Sequence, residues 1–275
     1  MSIPTVREVM SEKPVTVDQD QSLKMALKIM RRKKVNRLPV TEKVEEGRKE
    51  LVGMLTILDA ALAVADARFG DRPPSKIKVK EVMSSPVITV GPDADVLDVA
   101  HTMLAHGISG LPVLEEGRMI GIVTKTDLIQ LLENDDYVAL HMTKNPITVA
   151  AGSSLLHARR LMFEEGAKIL PVVERETLVG VLTDRELALE LAKLREKVPR
   201  GKFKSTIKRL TVDDVIRRTP YYVHTDYGLQ DVVELILRKH VPGTPVTDYR
   251  DRVVGVITKT DLTRVLVEEL EAKAG

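Results

Sequence analysis

Three observations predict a mixed α/β fold built from four copies of one β-α-β-β-α unit. Prolines 14, 86, 146 and 220 are each followed by a second proline, at 39, 112, 171 and 245, which is 25, 26, 25 and 25 residues later. Apolar residues at three- and four-residue spacing lie between the two prolines of every copy. After each second proline comes an aliphatic run around one glycine, ending in threonine.

Each element follows in chain order. The lead-ins are Val9-Met10-Ser11, Val82-Met83-Ser84, His141-Met142-Thr143 and Val215-Ile216-Arg217, and each reaches a proline and a short β-prone stretch such as Val15-Thr16-Val17. The helices carry the stripes Leu23-Ala26-Leu27-Met30, Val96-Val99-Ala100-Met103, Leu155-Ala158-Leu161-Met162 and Leu229-Val232-Val233-Ile236. Strands Leu38-Pro39-Val40, Leu111-Pro112-Val113, Leu170-Pro171-Val172 and Thr244-Pro245-Val246 follow. Proline cannot donate to a ladder, so each of these is expected at an edge or a bulge. The runs around Gly53, Gly121, Gly180 and Gly255 read as buried strands. They end in Thr56-Ile57-Leu58-Asp59, Thr124-Lys125-Thr126-Asp127, Thr183-Asp184-Arg185-Glu186 and Thr258-Lys259-Thr260-Asp261, each opening a second helix. First prolines stand 72, 60 and 74 residues apart, an alternation that suggests two pairs: module 1–134 (repeats about 1–66 and 77–134) and module 135–275 (repeats about 135–194 and 208–275).

With 275 residues, 43% of them hydrophobic, and no Cys, the chain excludes disorder and a disulfide scaffold. No apolar stretch nears the roughly 18 residues of a membrane span, and the N-terminus lacks a secretory layout, so a cytoplasmic location is expected. A net charge of +2 does not point to nucleic acid. The distribution is uneven: Lys193, Arg195, Lys197, Arg200, Lys202, Lys204, Lys208 and Arg209 face one acid, Glu196. That stretch reads first as a solvated linker, and second as a surface for nucleic acid or a docking protein.

The proline-led start, the Leu-Pro-Val strand and the Gly-x-x-Thr-x-x-Asp ending, four times in register, resemble the cystathionine β-synthase (CBS) domain. The four-repeat plan is similar to the gamma subunit of AMP-activated protein kinase. The resemblance implies repeats paired into pseudo-two-fold modules that form a disc with ligand clefts facing its centre. It implies an adenine nucleotide, AMP, ADP or ATP, as ligand, and no catalytic cofactor. It assigns Asp59, Asp127 and Asp261 to the ribose hydroxyls, with Thr56, Thr124, Thr126, Thr183, Thr258 and Thr260 at the helix starts. Glu186 departs from the pattern, and its extra methylene is expected to push the carboxylate further into the cleft, which puts the third site in doubt. Two or three residues before the second proline only Arg37 and Lys168 are basic, and they are assigned to phosphate, from opposite modules but both able to reach toward the disc centre. Lys125 and Lys259 are further candidates, though residues just inside a helix usually face solvent. Thr16, Val35, Ile88, Ile108 and Ala167 are the expected base-lining residues.

The physical case rests on the strand-to-helix corner. Unpaired amides at a helix start suit an anion, while an ionised carboxylate accepts both cis hydroxyls of a ribose and so demands ribose over deoxyribose. The same Thr and acid could also simply cap the helix. No Gly-x-Gly-x-x-Gly after a strand, P-loop, His-Glu-x-x-His or Gly-x-Ser-x-Gly is present, and the six His are scattered, so no enzyme or metal site is expected. The expected function is regulatory: a sensor of cellular energy state that passes ligand binding to a partner protein, with homodimerisation left open. S-adenosylmethionine, methylthioadenosine or a dinucleotide is the alternative ligand class.

Overall fold

A computed structural model of the chain describes residues 3–199, 201–216 and 218–274. Repeat one contains α1 (Val6–Val9), β1 (Ser11–Glu12), β2 (Val17–Asp18), α2 (Leu23–Lys33), β3 (Arg37–Lys43), β4 (Lys49–Thr56) and α3 (Ile57–Ala65). Repeat two contributes α4 (Val96–Ala105), β5 (Gly110–Glu115), β6 (Arg118–Thr124) and α5 (Lys125–Leu128). In repeat three lie α6 (Val138–His141), β7 (Thr143–Lys144), β8 (Val149–Ala150), α7 (Leu155–Glu164), β9 (Ile169–Glu174), β10 (Thr177–Thr183) and α8 (Asp184–Lys197). Helix α9 (Phe203–Ile207) lies in the connector, and repeat four follows with β11 (Val223–His224), α10 (Leu229–Lys239), β12 (Gly243–Thr247), β13 (Val253–Thr258) and α11 (Lys259–Ala274).

The α/β reading holds, and every repeat carries the expected unit. The first strand is shorter than its β-prone sequence suggests. It spans two residues in three repeats and is a single bridge, Val90 to Val113, in repeat two. It runs parallel to the proline strand, which itself pairs antiparallel with the glycine strand. The proline strand is therefore central, not an edge. A register shift follows Pro39, Pro112 and Pro245 within two residues, as the bulge expectation required. The missing donor is harmless because the parallel ladder only begins there: Val90 N–H donates to the Pro112 carbonyl, and Leu114 N–H to the Val90 carbonyl.

The helix stripes are buried as spaced. Leu23, Ala26, Leu27 and Met30 of α2 are buried, as are Val96, Val99, Ala100 and Met103 of α4 and Leu229, Val232, Val233 and Ile236 of α10. In α7, Leu161 is only half-buried.

Two compact units result. The odd unit holds repeats one and three (Val15–Val87 with Ile147–Pro220), and the even unit holds repeats two and four (the chain through Pro14, Ile88–Pro146 and Tyr221 onward). Each has its own aliphatic core. Lead-ins are exchanged between consecutive repeats. Ser11 of repeat one pairs with Ile122 in β6, Ser84 before repeat two bridges to Met54 in β4, and Thr143 of repeat three pairs with Val256 in β13. This exchange explains three of the glycines: a Cβ at Gly121, Gly53 or Gly255 would overlap the sulfur of Met10, Met83 or Met142. No helix among the described residues is long and apolar enough to cross a membrane.

Candidate functional site

All four strand-to-helix corners are built alike. The first N–H of the helix, at Ile57, Lys125, Asp184 or Lys259, donates to the carbonyl of Asn36, Ser109, Lys168 or Pro242, at 2.8, 3.2, 3.2 and 3.0 Å. These acceptors are the positions just before each proline strand, so every corner is tied to the turn that leads into that strand. The acid closes a capping box. Oδ2 of Asp59 accepts from Thr56 N at 2.8 Å and Thr56 Oγ1 at 2.7 Å, and Asp127 and Asp261 repeat this on Thr124 and Thr258. The threonine hydroxyl in turn accepts from an amide of the first turn, of Asp59, Thr126, Glu186 or Thr260.

This corrects two expectations. The first-turn amides are largely taken by the chain itself, so an anion must rely on side-chain cations. Glu186 does not extend outward: it curls back, its Oε2 accepting from Thr183 N and Oγ1 at 3.0 Å each. The extra methylene is absorbed in reproducing the cap.

Capping occupies one oxygen of each acid. Among the described residues Oδ1 of Asp59 accepts no hydrogen bond. Oδ1 of Asp261 accepts from Arg264 Nη1 at 2.7 Å and Thr143 Oγ1 at 3.5 Å, so the fourth corner is already engaged. Burial pushes the carboxyls of Asp59 and Asp127 above the usual aspartate range, against the bonds from Thr56 and Thr124; Lys259 and Ser11 also oppose the shift at Asp127.

In the even unit the two corners meet. Lys125 Nζ donates to Thr260 Oγ1 at 3.1 Å, and Lys259 Nζ donates to Thr126 Oγ1 at 2.7 Å, a reciprocal pair joining repeats two and four. The expectation that these lysines face solvent is overturned: Lys125 is 2% exposed, because the partner helix covers its stem.

The odd unit solves the same place differently. The helix starts carry Ile57 and Leu58 in repeat one, and Asp184 and Arg185 in repeat three. Arg37 and Lys168, expected from opposite modules, lie in the same unit and close enough to repel each other, with Asp184 buried beside both. Burial pushes Lys168 down, with Arg37 adding to it, and pushes Asp184 up against the pull of Lys168 and Arg37. Arg185 Nη1 donates to Asn36 Oδ1 at 2.6 Å and the Val35 carbonyl at 3.2 Å, and Nη2 to the Met30 carbonyl at 3.3 Å. It thereby ties up carbonyls at the C-terminal end of α2.

Of the expected base-lining residues, Thr16, Val35 and Ala167 fall in the odd unit and are half-buried, while half-buried Ile108 and the more exposed Ile88 fall in the even unit. The structure adds Ser11, Asp184, Arg185 and Arg264 to the corners. Only Asp184 and Arg185 left a signal, as charges where repeat one has Ile57 and Leu58. The basic stretch is not a uniform surface: Arg195 is buried, 3.5 Å from Asp71 and stacked on Phe203 at 4.1 Å, and Lys193 pairs with Glu190 at 2.9 Å. Arg200 lies outside the described residues. Among the described residues no three His, Asp or Glu side chains are grouped to hold a metal ion.

Four strand-to-helix corners of this kind define a class, and the chain belongs to the CBS domain family, matched over residues 6–66, 79–134, 136–193 and 212–268. An uncharacterized protein of Methanocaldococcus jannaschii is 24% identical over 285 residues, covering 96% of this chain and 99% of its own length. A crystal structure from that organism, of a protein described in relation to the gamma subunit of AMP-activated protein kinase, superposes with a TM-score of 0.80 at 23% identity, covering 95% of this chain and 99% of its own. A conserved protein of Pyrococcus horikoshii superposes with a TM-score of 0.63 at 19% identity, covering 96% and 100%. These likenesses establish the four-repeat fold.

Proposed function

We propose that the chain is a non-catalytic, cytoplasmic sensor of adenine nucleotides, AMP, ADP or ATP, that passes their binding to a partner protein. The carrying observation is the division of labour within the carboxylate of Asp59. Oδ2 caps the helix while Oδ1 accepts nothing among the described residues. An ionised carboxylate has about four acceptor positions, so capping and ribose binding are compatible. Asp127, whose cap is the same but which also accepts a bond from Ser11, is the second ribose acceptor. Asp261 must first release Arg264, and Glu186 serves as a cap alone.

Phosphate is met by cations from either side of the corner: Lys125 and Lys259 in the even unit, Arg37 and Lys168 in the odd unit. Because the lysine ammoniums donate to hydroxyls of the opposite repeat, a phosphate drawing them away changes how repeats two and four are tied. Such differential contact is what lets a ligand shift a conformational population. The grouping into modules 1–134 and 135–275 belongs to this proposal, supported by the exchange of lead-ins between consecutive repeats.

Calorimetric titration of the purified chain with AMP, ADP, ATP and S-adenosylmethionine tests the reading. Saturable binding of the phosphate-bearing nucleotides is expected. Binding of S-adenosylmethionine alone moves the chain to another ligand class, and silence toward all four at millimolar concentration defeats the reading.

A further inference from the structure

Helix α7 breaks the repeat at one position. The residue after the central small residue of the stripe is Leu27 in α2, Ala100 in α4 and Val233 in α10, all buried, but Arg159 in α7. Three sister helices fill the place with aliphatic carbon, whereas here a guanidinium stands near enough to Asp66 to be attracted by it. Arg159 is half-buried, its Nε is sealed from water with no acceptor among the described residues, and its guanidinium lies 4.8 Å over the ring of Phe163. Burial pushes it below the usual arginine range, against the attraction of Asp66. A buried donor without a partner costs stability, so the fold alone does not favour this residue.

Beside it a cavity of about 470 Å³ opens between α7 and Leu62 of α3, within the size range of small-molecule sites. Leu62, Leu156 and Phe163 give it an apolar wall, and Arg159, Arg160 and His157 give it a cationic one, with Glu164 the one acid among its described lining residues. Glu164 approaches Arg160 only to 3.9 Å, and Arg160 Nη2 lies 3.3 Å from His157 Nδ1. None of these residues belongs to the strand-to-helix corners.

We infer that this cavity is a second ligand site, independent of the nucleotide corners, for a small amphipathic anion: a carboxylate or phosphate held by Arg159 and Arg160, on an aromatic or aliphatic body seated against Leu62, Leu156 and Phe163. The stack on Phe163 holds the Arg159 fork flat, which suits two-point recognition of an oxyanion.

The test is titration of the full chain with 2-naphthoate and 2-naphthyl phosphate, which rank the two anion types, beside neutral 2-naphthol and inorganic phosphate. Parent and Arg159→Leu, which restores the side chain that repeat one carries, are compared. One saturable site is expected for at least one aromatic anion, with binding of both controls weaker. In Arg159→Leu that affinity should fall by about tenfold or more, with AMP titration unchanged and the melting temperature equal to or above the parent's. Absence of binding by the parent at millimolar probe, equal binding by Arg159→Leu, or a lower melting temperature in that variant would overturn the inference. The last result would assign Arg159 to packing.

Discussion

The odd and even units share one backbone plan and place their charges in opposite parts of it. In the even unit cations stand at the helix starts, Lys125 and Lys259, and the strand starts are Gly110 and Gly243. In the odd unit cations stand at or just before the strand starts, Arg37 and Lys168, and the helix starts hold Ile57 and Asp184. Part of the difference is steric. A Cβ at Gly243 would run into the Ile257 carbonyl and the Thr258 backbone, so no cation fits at that register position in repeat four. The corner itself is indifferent to the choice, because its caps use only Thr and the acid. Each unit thus keeps cations near its pair of corners, and in the odd unit the buried Asp184 draws both Arg37 and Lys168.

That contrast can be broken most forcefully at Asp184. Asp184→Asn leaves Lys168 and Arg37 repelling without their acid, and loss of one partner from a buried charged group costs about 3–5 kcal/mol. Urea unfolding should show that loss, and no comparable loss for Ile57→Val across the same unit. The exchanged lead-ins come next. Gly121→Ala drives a methyl into Met10, and overpacking of this kind costs about 1–3 kcal/mol, read as a lowered denaturation midpoint. Against this, Gly152→Ala, where a Cβ meets nothing within 4 Å, should be nearly neutral.

A functional comparison is sharper still. Lys125→Met keeps the buried stem and removes the ammonium, so ATP affinity should drop by about tenfold, the worth of one charge-assisted bond. Lys168→Met should cost less, because Asp184 already offsets that cation. Equal losses in calorimetry would erase the distinction drawn between the units. The smallest expected effect is in pH. Asp59 and Asp127 have folded-state values raised by burial, so the folded state binds the proton more tightly, and stability declines as pH rises from the ordinary 3.8 through the raised value. Asp127→Asn should remove part of that decline in melts taken across the range. Nucleotide affinity should run the other way, weakening on acidification as the carboxyl gains a proton and loses an acceptor.

Much of the fold was legible because it is repeated: four proline pairs, each 25 or 26 residues apart, marked the strands, and four stripes marked the helices. The candidate site was legible only as geometry, to the extent that it repeats. Asp59, Asp127 and Asp261 sit at equivalent corners, and Arg37 and Lys168 sit beside theirs. What escaped was the pairing of side chains across repeats. A lysine one residue inside a helix reads as solvated, and only the neighbouring helix shows that Lys125 is covered and reaches Thr260. The approach of Arg37 to Lys168 depends likewise on repeats one and three sharing a core; their assignment to opposite modules left open that both reach a common centre, but gave no partner such as Asp184. Arg159 left a trace, since the stripe of α7 had to skip to Leu161, but a skipped position alone does not reveal a cavity.

The central claim is that a corner acid grips paired sugar hydroxyls while it caps its helix. Titration of the parent and of Asp59→Asn with Asp127→Asn, each against AMP and 2′-deoxy-AMP, tests it most directly, because asparagine still caps but offers the sugar one acceptor fewer. The account predicts that the parent prefers AMP by about tenfold to a hundredfold and that the double variant, still folded, loses the preference. Equal affinity of the parent for the two nucleotides would contradict it.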